Sequence, residues 1–235
     1  MPATVRLPVM ARASRSPIPF IQGGALIAAA LALGVAVRRS PTALANEFRL
    51  NVWLNDHFPA WFGSFSVFVN WLFGPVGAVL LLVVSILAIY WRRRDWSLAA
   101  RFTALALGGW VVTAILKAVF REPRPALLEL CPRLADGVCE WLVVETGTNA
   151  FPSGHTAFAT GFALAFGFVF ARGFSRTTTT FVSLSCCLLV LLVAFTRVYL
   201  GVHYLTDTIG AVLVTVGTAV IVRALWPRRL GGGGG

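Results

Sequence analysis

The sequence predicts an all-α membrane protein: six transmembrane helices, one amphipathic helix lying in the membrane interface, and an extracytoplasmic lid loop. Three observations predict it. The 235-residue chain is 57% hydrophobic and only 12% charged, with a mean hydropathy of +0.79, which lies outside the range of soluble globular domains. Its apolar residues fall into six runs near the length of ~17 to 25 residues that a helix needs to cross a bilayer core of ~30 Å. Arginines gather in the connections between those runs, where the positive-inside bias and anionic headgroups account for them.

Residues 1–19 carry Arg6, Arg12 and Arg15 with no apolar period, and are expected to be a disordered cytoplasmic tail. A single membrane domain then occupies 20–229. Ile21 to Val37 is the first spanning run. Ala43-Leu44-Ala45 has the small-residue spacing of a signal-peptidase site, but Arg38, Arg39 and Pro41 separate it from the apolar run, so cleavage is not expected. Glu47 to Phe62 mixes Phe, Leu, Trp and His57 with Glu47, Arg49 and Asp56, which suits the interfacial helix.

Phe65 to Tyr90 is the second run, anchored by the basic and aromatic stretch Trp91 to Trp96. Leu98 to Phe120 is the third, with Lys117 near its end. Residues 121–151 form the longest connection and hold most of the acidic residues, and a loop of that length usually has a task. Thr156 to Phe170, Thr179 to Phe195 and Leu205 to Leu225 are runs four to six. The tail at 230–235 ends in five glycines, reads as a linker and takes no part in the fold.

With a cytoplasmic N-terminus, six crossings leave both termini inside, with twelve Lys and Arg on the inner side and eight on the outer. That bias has the expected sign. It also explains the net charge of +11 and the pI near 11.1 without nucleic acid, which is not an expected partner. Among the cations, nineteen are arginines and one is Lys117. A compact three-donor ammonium at one place only is a hint of a specific use. Cys186 and Cys187 lie inside an apolar run and read as small buried hydrophobes.

Chemistry concentrates in three polar islands at the ends of apolar runs. In Thr196 to Asp207, His203 and Asp207 are four apart, so on a helix they share a face and the carboxylate can orient one imidazole nitrogen. A polar cap at an interface would also contain Arg197, His203 and Asp207. Lys117 to Pro125 and Pro152 to His155 shift the balance, because the topology brings all three islands to the extracytoplasmic face. Lys117, Arg124 and Arg197 with few acids nearby suit an anion of more than one charge, and phosphate fits. Pro123 and Pro125 break the third helix and let Arg124 fold back. Pro152-Ser153-Gly154-His155 reads as a turn opening the fourth helix, with free N–H groups and a hydroxyl for an oxyanion. The sequence has no carboxylate set with metal-ligand spacing, so no cofactor is expected and a covalent route is favoured.

This pattern closely resembles the type 2 phosphatidic acid phosphatase (PAP2) family, which shares its core with bacterial acid phosphatases and vanadium haloperoxidases. The family signature of K-x6-R-P, P-S-G-H and S-R-x5-H-x3-D corresponds to Lys117 to Pro125, Pro152 to His155 and Thr196 to Asp207, with Thr196 where serine is usual. The resemblance implies a PAP2-type bundle and a metal-independent lipid phosphate or pyrophosphate phosphatase. Its nucleophile is His203, held by Asp207. His155 is the acid and base, and Lys117, Arg124, Ser153, Gly154 and Arg197 bind phosphate. Polyprenyl pyrophosphate, phosphatidylglycerol phosphate and phosphatidic acid are the expected substrates, met at the outer face of the cell membrane. A vanadate-dependent haloperoxidase and a non-catalytic lipid-headgroup binder or transporter are the alternatives. Cys131 and Cys139 lie in the outward loop, where a disulfide would persist and close a short hairpin of the lid.

Overall fold

The computed structural model describes residues 16–121, 124–125, 149–170 and 175–226. Among them are eight helices and no strand: α1 (Ile18–Arg38), α2 (Pro41–His57), α3 (Ala60–Phe73), α4 (Pro75–Arg93), α5 (Trp96–Phe120), α6 (Gly154–Phe170), α7 (Arg176–Tyr199) and α8 (Leu205–Leu225). Five of them, α1, α4, α5, α7 and α8, are long and apolar enough to cross a membrane. The fourth predicted run is the apolar helix α6, whose 17 residues rise about 25 Å, a few ångströms less than a bilayer core. Most of the expected lid, with Cys131 and Cys139, lies outside the described residues, as do residues 1–15 and the C-terminal tail, whereas Ile18 and Pro19 of the expected N-terminal tail already belong to α1.

The second predicted run is not one helix. It breaks at Gly74, whose ψ of 176° is extended, because Pro75 lacks an N–H to continue the ladder and disfavours helical backbone before it. The first half, α3, packs across the site end of the bundle against α7, and Pro75 starts the spanning helix α4 at its N1 position. The interfacial helix is also displaced: α2 begins at Pro41, capped by Ser40 Oγ accepting from the Ala43 amide at 3.2 Å, and stops before Pro59. Ala43-Leu44-Ala45 is the first turn of that helix.

The core of the bundle is α5, α6 and α8, with α1 laid along α8 and α7 along α6. Small residues let these axes approach, as membrane helices without a hydrophobic drive between them require. A Cβ on Gly161 of α6 would stand 2.4 Å from the Ala106 carbonyl of α5, so nothing larger fits. The segment that opens α6 is pinned the same way. The buried Phe151 ring fills a notch between α1 and α8, where a Cβ on Gly34 or Gly210 would come within 2.8 or 2.5 Å of it. Phe120 closes the notch with ring centroids 5.0 Å apart. Since the helices alternate in direction, the C-terminal ends of α5 and α7 and the N-terminal ends of α6 and α8 meet at one end of the molecule.

Candidate active site

His203 is buried on the short turn between α7 and α8, not on a helix. The expected shared helical face with Asp207 is therefore not the reason the two meet. Gly201, at φ 64°, turns the chain out of α7 in the left-handed region that glycine tolerates. Asp207 sits in the first turn of α8 and its Oδ2 reaches back, accepting from the Tyr204 amide at 2.9 Å and from His203 Nδ1 at 3.0 Å. The helix N-terminus thus holds the carboxylate, and the carboxylate holds the imidazole.

Two contacts assign the tautomer. A carboxylate only accepts, so Nδ1 carries the proton; a guanidinium only donates, and Arg124 Nη1 lies 3.3 Å from His203 Nε2. The lone pair is therefore on Nε2. Arg124 Nη1 also donates to the Val202 carbonyl at 2.9 Å, so the arginine folds back onto the turn that carries His203. Burial first, then the charges of Lys117, Arg197, Arg124 and His155, hold His203 well below the ordinary imidazole value near 6.5. The ring is thereby held in its neutral form.

The other islands close around it. The Ser153 amide donates to the Asp207 carbonyl at 3.0 Å, tying the start of α6 to the start of α8. Ser153 Oγ caps α6, accepting from the Thr156 hydroxyl at 3.1 Å, and keeps its own proton to donate. Gly154 faces the same space: a Cβ there would be 3.8 Å from both Lys117 Cε and Trp110 Nε1. Lys117 Nζ donates to the carbonyls of Asn149 and Ala150, just upstream of that turn. Arg197, on the last turn of α7, is buried, and Thr196 beside it donates its hydroxyl to the Val193 carbonyl at 2.8 Å within its own helix.

All eight site residues expected from the sequence come together at one end of the bundle. His57 does not: it is exposed, stacked on Trp53 at 4.6 Å. Asn70 on α3 is not among the expected residues, and it joins two of the eight. Its side-chain carbonyl accepts from Arg197 Nη1, and its backbone carbonyl faces His155 Nε2 at 3.1 Å, which places a proton on that nitrogen. The signal for it is an amide inside an apolar run, costly in a membrane unless it has a partner.

From this cradle a cavity of about 690 Å³ runs between α4, α5 and α6. Lys117, Arg124, Gly154, His155 and His203 line one end, and Val79, Leu82, Leu107 and Phe158 the other. Val76, Val79 and Trp110 are exposed, so the cavity opens sideways between helices toward the bilayer-facing surface. Among the described residues no three His, Cys, Asp or Glu side chains cluster as a metal site.

The charges acting on His203 give a pH test. Lys117→Met removes the foremost of them, so the imidazole rises toward its ordinary value and becomes protonated at higher pH. If His203 reacts in its neutral form, the acid limb of kcat/KM should move upward relative to the wild type, measured on one substrate so that the substrate's own ionisation is common to both. An unmoved limb would separate Lys117 from the electrostatics of His203.

A family model described as the PAP2 superfamily matches residues 97–230. Two solved structures have the same fold. The first transmembrane PAP2-type phosphatidylglycerolphosphate phosphatase, from Bacillus subtilis, superposes with a TM-score of 0.70 at 19% identity, over 86% of this chain and 94% of that one. Aquifex aeolicus LpxE superposes with a TM-score of 0.54 at 21% identity, over 74% of this chain and 93% of its own. No curated protein sequence is similar enough to this chain to count as a match.

Proposed function

The chain belongs to the PAP2 superfamily of phosphatases, and on that footing we propose that it hydrolyses a phosphate or pyrophosphate ester of a membrane lipid through a phosphohistidine on His203. The observation that carries the reading is a neutral imidazole with its lone pair on Nε2, buried among Lys117, Arg124 and Arg197 at the head of an apolar cavity.

In the first step Nε2 attacks phosphorus as the bond to the leaving oxygen breaks, and His155 gives that oxygen a proton. Asp207 balances the positive charge that grows on the ring. Lys117, Arg124, Arg197, the Ser153 hydroxyl and the Gly154 amide take up charge on the three equatorial oxygens. In the second step water attacks phosphorus, His155 accepts its proton, and the N–P bond breaks to return His203 and inorganic phosphate. With a pyrophosphate the group that departs first is the lipid monophosphate.

The sideways opening supports a lipid over a halide or a soluble ester, since apolar walls at Leu82 and Leu107 gain nothing from either. A site at the bundle end, rather than at the midplane, supports catalysis at a surface over transport. The excess of Lys and Arg on the opposite side supports an extracytoplasmic site, six crossings with α6 among them, and a cell-membrane location. Polyprenyl pyrophosphate leads the candidates, followed by phosphatidylglycerol phosphate, on which the Bacillus relative acts, and phosphatidic acid.

The test is phosphate release by the purified protein from these three lipids in detergent micelles containing EDTA. Release from at least one of them is expected. No release from any, or release that EDTA stops, would overturn the proposal.

A further inference from the structure

The imidazole assigned as nucleophile stands on a turn with no helix or strand of its own to stiffen it, and a helix remote in sequence grips that turn. Glu47, Asn51 and Asn55 are spaced by four, so they form one stripe along α2. All three bond to the residues around His203. Asn51 Nδ2 donates to the Val198 carbonyl at 2.7 Å and to the carbonyl of His203 itself at 3.0 Å. Asn55 Nδ2 donates to the Tyr199 carbonyl at 3.4 Å. Glu47 Oε2 accepts from the Thr206 hydroxyl at 2.8 Å and, at 3.4 Å, from the Thr206 amide at the start of α8.

We propose that α2 aligns the nucleophile, with Asn51 as a positioning residue for His203; this rests on the phosphohistidine reading above. The polar face that an interfacial helix would turn to water is turned inward here. Asn51 is fully buried, so its two bonds form where no water competes for them. Apolar contacts on either side keep the stripe in register: Leu54, with Leu50 and Phe58, packs in one cluster with Val198, Tyr199, Leu200 and Val202. Burial raises the Glu47 carboxyl above its ordinary value, against the opposing pull of the two Thr206 bonds. The bond to the His203 carbonyl sets the height of that Cα, and so the line of Nε2 toward phosphorus. A misplacement of about 1 Å at a reacting atom costs on the order of 10²-fold in rate.

The experiment compares wild type with Asn51→Leu, similar in size but without donors, in full-length purified protein. Active sites are titrated with labelled inorganic phosphate by equilibrium dialysis, a ligand the cradle holds without a bond to Nε2, and turnover is expressed per titrated site. Alignment predicts a kcat per site lower by on the order of 10²-fold with KM and inorganic-phosphate affinity within about threefold. A merely structural role predicts fewer titrated sites with unchanged kcat per site. That outcome, or an unchanged enzyme, overturns the inference. If the buried substitution prevents folding, Glu47→Ala at the half-buried end of the stripe is read by the same two numbers, with a smaller fall in kcat expected. His203→Ala is run alongside: turnover surviving there sinks the phosphohistidine reading itself, whatever Asn51 does.

Discussion

His203→Ala should lower phosphate release by at least about 10⁴-fold while leaving inorganic phosphate bound within about tenfold of the wild-type affinity, because loss of the attacking imidazole removes the covalent route but not the cradle. The cradle is built elsewhere. Lys117 comes from α5, Arg197 from α7, and Ser153 and Gly154 from the start of α6, so each is carried by a helix separate from the turn that carries the imidazole. Arg124 does touch it, through Nε2 at 3.3 Å, but a second bond to the Val202 carbonyl keeps the guanidinium in place. Rate and binding therefore separate. The wild type, quenched during turnover of a labelled lipid phosphate, should carry label in an acid-labile, base-stable bond, and the variant none. Label that persists in the alanine variant would mean that another group attacks phosphorus.

His155→Gln should slow turnover by about 10²- to 10⁴-fold, and by an amount that depends on the leaving group. An alkoxide leaving from a lipid is a strong base and needs a proton as it departs. His155 carries one on Nε2, toward the Asn70 carbonyl at 3.1 Å, and lines the cavity through which the leaving group would depart. An aryl phosphate leaves without that help, so its first step should be nearly spared. The second step still lacks a base for water, so the phosphohistidine should accumulate with the aryl substrate and not with the lipid. Rapid-quench measurement of the phosphoenzyme with both substrates checks this. An equal loss for both, with no accumulation, would assign His155 to phosphate binding rather than proton transfer.

The residues proposed to touch phosphate are legible in the chain itself, and the reason is chemical. Cations, two imidazoles, a hydroxyl and a carboxylate at the ends of apolar runs are expensive to keep at a membrane, so Lys117, Arg124, Ser153, His155, Arg197, His203 and Asp207 stand out against their neighbours. The apolar runs are legible for a related reason, since a bilayer imposes length and hydropathy on each helix separately. The break at Gly74 is less so. Pro75 marks it, but an unbroken apolar run on both sides masks the boundary.

The residues that support those side chains are not legible in the same way. Asn70 reads as a lone amide in a spanning run, and it bonds Arg197, 127 positions away. Asn51 reads as the wet side of an interfacial helix, and it holds a carbonyl 152 positions away. Even the meeting of His203 with Asp207, expected from helical spacing, occurs instead by a carboxylate reaching back across a helix start. Composition and order along the chain suffice to say which groups are charged, how many apolar stretches must hide from water, and what anion such a set attracts. Each of those follows from the transfer cost of one residue or one short stretch. Which polar face points inward, and what it grips, was settled by the folded bundle, because a hydrogen bond needs both partners in place and packing alone brings the second one near.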